Sequence, residues 1–310
     1  MMVEKYKIRT DLAMEQKERF ESDHVEVSGV VLEEEYDEEK EIKITTVRIE
    51  TENGAKSMGK PVGTYLTLEA PNMAAADEGY HREISETLAG FLEKYMKDRE
   101  ENQEKGYSVL VVGLGNREVT PDALGPYVVD QLNVTRHIVQ EYGRYAVGKG
   151  GSRIVSAIVP GVMAQTGMES AEIIRGIVNE TTPDLIMVID ALAARSTRRL
   201  NRTIQITDTG INPGSGVGNH RVGLTEENLQ VKVIGIGIPT VVDAATIVHD
   251  SMANLLETLE EAEQKEFLEE MISPHLHTMF VTPKDVDETV KYLSFTISEG
   301  LNMAFEEIGG

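Results

Sequence analysis

A chain of 310 residues with 40% hydrophobic and 5% aromatic content can bury a sizeable aliphatic core, as one large α/β domain or two small ones. Its 30 basic against 53 acidic residues give a net charge of −23, which argues against nucleic-acid and anionic-membrane binding. The absence of Cys excludes disulfides, thiolate metal sites and a cysteine nucleophile, and no apolar stretch approaches the roughly 20 residues that span a bilayer.

Taken in order, Met1–Phe20 is polar and mixed in charge, without the apolar core of a signal peptide, so a cytosolic protein with an accessible amino terminus is expected. His24–Leu32 and Glu41–Thr51 alternate apolar and polar residues and predict half-buried strands, with the acidic run Glu33–Glu41 as a solvated turn between them. Thr64–Glu69 predicts a third strand, closed by Pro71, and Asp77–Lys97 a helix through Ile84, Leu88, Phe91, Leu92 and Tyr95. From Val109 onward strands alternate with helices. Strands are predicted at Val109–Val112, Ile154–Pro160, Leu185–Ile189, Thr203–Thr207, Val231–Ile238 and Met279–Thr282. Helices are predicted after Pro121, around Glu169–Val178, over Val242–Met271 and over Asp285–Glu306. This alternation indicates a mostly parallel sheet covered on both faces, with the early strands as antiparallel additions.

Two apolar strands lead into carboxylates. Val109–Val112 runs through Gly113 and Gly115 to Thr120-Pro121-Asp122, a predicted helix start with Thr120 as cap and Asp122 in the first turn. An Asp there already gains about 0.3–1 kcal/mol from the helix dipole, without any catalytic role. Leu185–Ile189 ends in Asp190, followed by small residues; an unpaired carboxylate at such a strand end would cost several kcal/mol. Asp190 therefore needs a partner or a function, and Arg195 is the candidate neighbour. The Gly113-Leu114-Gly115 pair does not make a dinucleotide fingerprint, because Glu118 stands where the third glycine belongs. Neither Ser152 nor Ser215 sits in a nucleophile elbow.

The segments GLGNREVTPDALGP and IDALAARS, with IRTDLAMEQ (Ile8–Gln16), TYLTLEAPN (Thr64–Asn72) and NPGSGVGNHR (Asn212–Arg221), resemble those of the germination proteases of endospore-forming bacteria. The resemblance covers nearly the whole chain. It implies a three-layer α/β/α fold similar to that of hydrogenase maturation proteases, plus extra N-terminal strands, in a single domain. It also implies an endopeptidase that degrades small acid-soluble spore proteins, made as a self-processing precursor, with no cofactor or metal, and a homotetramer in the spore core. Its proposed catalytic aspartates fall on Asp122 and Asp190, and Arg195, Asn116 and His220 are candidates for substrate binding. The family's substrates are cut after an acidic residue that is followed by a large apolar residue and then alanine. Thr10-Asp11-Leu12-Ala13 has that order, so residues 1–11 are expected to be a propeptide cut between Asp11 and Leu12, leaving 12–310 as the peptidase.

A rival reading is a hydrogenase-maturation-type protease that works through a metal. It wants a His directly after the Val231–Ile238 strand, where Pro239–Asp243 stands instead; His249 lies further on, and His275 and His277 are more simply solvated. A glycosidase carboxylate pair is disfavoured by the absence of Trp.

Overall fold

Val109 and Val111 pack into one apolar cluster and Leu110 and Val112 into another. The same split divides Leu185, Met187 and Ile189 from Ile186 and Val188, and Ile234, Ile236 and Ile238 from Val233. Strands buried on both faces require helices on both sides of their sheet. The computed structural model describes residues 11–15, 28–75, 77–100, 106–147, 153–213, 221–248, 251, 276 and 279–306. In chain order these form β1 (Val30–Asp37), β2 (Ile42–Ile49), α1 (Glu52–Met58), β3 (Gly63–Glu69), α2 (Glu78–Glu100), β4 (Ser108–Gly113), α3 (Leu124–Asp130) and α4 (Arg136–Tyr142). Then come β5 (Ile154–Ile158), α5 (Met163–Thr166), α6 (Ser170–Thr181), β6 (Leu185–Ala194), β7 (Thr203–Thr207), α7 (Glu226–Leu229), β8 (Lys232–Asp243), β9 (Phe280–Val281) and α8 (Val286–Phe305).

One nine-stranded sheet runs β1-β2-β3-β7-β8-β6-β4-β5, with β9 beside β8. The half β8-β6-β4-β5 is parallel; β1, β2, β3 and β7 join it antiparallel. The α/β/α expectation with added N-terminal strands therefore holds. The antiparallel share exceeds what strand–helix alternation implies, because β7 follows β6 after a short turn and lies on the far side of β8.

Helices α2, α3 and α8 cover one face, through residues such as Leu88, Leu124 and Leu293. On the opposite face α6 covers β4 and β6 through Ala171, Ile174 and Val178. Further along that second face, over β2 and β3, the cover is Met58 at the end of α1 together with Ala13 and Met14, against Val47, Ile49 and Tyr65. The amino-terminal segment thus fills part of a sheet face that the α6 layer leaves open.

Several local expectations are corrected. The acidic run is not a solvated turn: Glu33–Asp37 belongs to β1, and the turn follows it, with Asp37 Oδ1 accepting the N–H groups of Glu39 and Lys40. Basic residues on the neighbouring strand offset its charge, Arg48 holding Glu33 at 2.8 Å and Lys43 holding Glu34 at 2.7 Å. The strand expected at His24–Leu32 starts only at Val30, after a turn at Ser28-Gly29, with residues 24–27 outside the described residues; the helix expected over Val242–Met271 begins instead with the last two residues of β8, and most of it lies outside the described residues. Both β6 and β8 run several residues further than their apolar cores suggest, because they pair with each other through Ala194 and Val242, across an irregularity at Leu192/Ala193.

Candidate active site

Asp122 closes a 3₁₀ turn, Thr120–Asp122, and the helix proper begins only at Leu124. Its carboxylate is therefore not spent on a helix dipole, and Thr120 caps nothing. Instead Asp122 Oδ2 accepts the backbone N–H of Asn116 at 2.8 Å. Gly115 makes this possible. It holds φ at +117°, and a Cβ there would lie 1.8 Å from the Asp122 carbonyl oxygen. The Thr240 hydroxyl, donating to Pro121 O at 2.6 Å, ties the turn to β8.

Asp190 is not at the end of its strand but in the middle of β6, buried, with Oδ1 accepting the N–H of Ala191 at 3.0 Å. The sheet register sets it in a row with Gly237 of β8 and Gln205 of β7. Ile189, Ile236 and Ile206, one position away, all face the α2–α8 layer, so Asp190 and Gln205 face the opposite side. Gly237 offers no side chain between them, and Leu192 occupies the space a Cβ would take. Asp190 and Gln205 are thus held roughly 10 Å apart, two strand spacings, across a trough floored by Leu192.

Electrostatics couples the two aspartates. Burial pushes Asp122 up, against the Asn116 N–H and the Arg221 guanidinium, which pull it down. Asp190 is raised well above the ordinary carboxylate range, by burial first and then by the like charges of Asp122 and Asp11; the Ala191 N–H and Arg221 act in the other direction. Both carboxyls are thus raised in the same direction, Asp190 the more strongly, as buried groups near like charge are.

The trough is filled. Asp11 donates its N–H to Ala193 O at 3.0 Å and accepts the Ala193 N–H on Oδ2 at 2.9 Å, just ahead of the helical residues Ala13–Glu15. Leu12 is fully buried against Leu192 and Ala194. Ala13 N–H donates to Gln205 Oε1 at 2.7 Å. Glu15 accepts the N–H groups of Arg195 and Ser196 at 2.9 and 3.1 Å and lies 3.3 Å from the Arg199 guanidinium, which also holds Glu69. This corrects the expectation of an accessible amino terminus. Its polar average hides Leu12-Ala13-Met14, which is apolar enough to bury, and Glu15 finds three donors.

Of the residues singled out from sequence, Asp122, Asp190, Asp11 and Leu12 come together. Asn116 belongs to the site as the residue that holds Asp122; its Oδ1 accepts from Glu118 N and from Gln165 Nε2 at 3.2 Å. Arg195 borders the bound segment through its backbone N–H, while the cation that acts on both aspartates is Arg221. His220 lies outside the described residues. Lys60 and Gln205 carry no motif, and Arg221, the last residue of the NPGSGVGNHR segment, is not among the site residues the sequence singles out. Only the register of three separate strands puts Gln205 in line with Asp190.

Two raised carboxyls near a buried stretch of the chain's own peptide are compatible with a peptide-cutting site. Comparison with known proteins agrees. The chain matches the family model described as germination protease over residues 8–259 and 251–308. It is 45% identical to the germination protease of Caldanaerobacter subterraneus subsp. tengcongensis, covering 96% of this chain and 94% of that one. The Clostridium perfringens germination protease is 42% identical (97% and 96% covered), and that of Bacillus subtilis 38% (98% and 95%). Among solved structures, a NiFe hydrogenase maturation protease from Thermococcus kodakarensis matches with a TM-score of 0.31 and 16% identity, over 64% of this chain and 94% of that one. The chain belongs to a peptidase family, the germination proteases, and is a protease. Among the described residues no helix is long and apolar enough to cross a membrane.

Proposed function

We propose that this protease is made as a precursor whose own residues Asp11–Glu15 lie in the substrate groove, and that it hydrolyses the Asp11–Leu12 bond to become active. Released from that segment, it degrades small acid-soluble spore proteins in the germinating spore. The observation that carries the reading is the seating of Asp11 and Leu12 against Leu192–Ala194, the stretch of β6 that follows Asp190, with the Asp11 carboxylate within electrostatic reach of Asp190. Ionised Asp122 takes a proton from water as it attacks the Asp11 carbonyl carbon, and Asp190 gives its proton to the departing Leu12 nitrogen. Neither step invokes a cofactor. In the same reading the protein works in the spore core as a homotetramer, an assembly that light scattering on the purified chain reads directly.

The test is cleavage of an unfolded small acid-soluble spore protein, with and without exhaustive chelation. Undiminished cutting in chelator supports the reading. Loss of activity that one particular metal restores contradicts it and favours a metal-dependent maturation-type mechanism.

A further inference from the structure

Among the described residues, the carbonyl oxygen of Asp11 receives two side-chain donors, Lys60 Nζ at 2.8 Å and Gln205 Nε2 at 3.1 Å. Resting on the reading that Asp11–Leu12 is the bond cut, we propose that Lys60 and Gln205 form an oxyanion cradle that stabilises the charge developing on that oxygen.

The two donors come from different elements of the fold. Gln205 stands in the middle of β7, between Thr67 of β3 and Gly237 of β8. Its Oε1 is occupied by the Ala13 N–H, which fixes the amide so that Nε2 faces the Asp11 carbonyl. One side chain therefore braces the peptide on both sides of Leu12. Lys60 follows Gly59, the left-handed cap of α1, and its Nζ passes 5.9 Å from the centre of the Tyr65 ring. Burial pulls the Lys60 ammonium down, and the carboxylates of Asp11 and Glu15 hold it up. An ammonium kept in a partly desolvated place and aimed at a neutral carbonyl gains most when that oxygen becomes negative, which is how a cradle favours the transition state over the ground state.

The step balances as hydrolysis. Water oxygen bonds to the Asp11 carbonyl carbon while Asp122 takes a water proton, and the carbonyl π pair moves onto the oxygen facing Lys60 and Gln205. When the pair returns, the bond to Leu12 N breaks and that nitrogen takes a proton from Asp190, leaving a carboxyl group and an amine.

A residue that only anchors the segment would show the same static contact, so the test separates rate from seating. Self-cleavage of the full-length chain is followed by intact mass, and hydrogen exchange reads protection of the Ala13 amide. In Lys60→Met the rate constant should fall about 10²–10³-fold, the loss typical of one oxyanion donor, with Ala13 still protected. Lys60→Arg should recover at least part of the rate. A Lys60→Met chain that cleaves at the wild-type rate, or one that slows only because Ala13 protection is lost, overturns the cradle. Should Met unfold the protein, Lys60→Leu carries the same expectations. A wild-type chain that never cuts itself overturns the reading of function, and the cradle falls with it.

Discussion

Asp190→Asn and Asp122→Asn are each expected to slow cleavage of a protein substrate by about 10²–10⁴-fold or more, the usual worth of a general acid or base. The two losses should differ in pH dependence. Wild-type activity should follow a bell displaced upward from the ordinary carboxylate range, because both groups are raised. Its acid limb reports ionisation of Asp122 and its alkaline limb loss of the Asp190 proton, as apparent values of the pair. Residual activity in Asp190→Asn should lose the alkaline limb, and in Asp122→Asn the acid limb. A variant with near-normal turnover would make its residue positional rather than catalytic.

The same burial predicts a gain in stability from the variant that loses activity. Asp190 sits buried with its pKa above the ordinary 3.8, so the folded state binds its proton more tightly than the unfolded chain does. A raised acid is neutral in both states well below 3.8 and contributes no penalty there. As pH rises through the folded-state value, the folded protein must hold a desolvated charge that the unfolded chain carries in water, and stability falls. Asp190→Asn removes that charge while the side chain keeps an oxygen for the Ala191 N–H. Its melting temperature should therefore match wild type in acid and exceed it at neutral pH, by roughly 1–2 °C for each kcal/mol relieved. A constant offset across pH, or a lower melting temperature at neutral pH, would show that Asp190 is compensated in the fold.

How much of this was legible in the sequence depended on the length scale of the signal. Apolar runs such as Val109–Val112 and Leu185–Ile189 announce buried strands because periodicity is local, and they appear as β4 and β6. Strand ends are set by the partner. β6 continues to Ala194 only because β8 continues beside it, so Asp190 was placed at an end and is in the middle. The Glu33–Asp37 run reads as a repelled loop until Lys43 and Arg48 on β2 are seen to offset it. Asp122 was found for partly the wrong reason. The Pro121 signal is real, but it opens a 3₁₀ turn whose carboxylate is held by Asn116 instead of a helix end. Gln205 and Lys60 were invisible, since nothing in the residues around either one marks it; each becomes notable only through an oxygen at least 49 positions away.

The central claim is that the aspartate pair cuts the segment it holds. It is tested most directly by incubating the purified full-length chain at mildly acidic and at neutral pH and reading the new amino terminus by mass spectrometry, beside Asp190→Asn alone in solution. The account predicts a single new terminus at Leu12, formed faster at mildly acidic pH where the pair holds its one proton, and none in Asp190→Asn. A terminus at another residue, or a Leu12 terminus that still forms in Asp190→Asn, would contradict it.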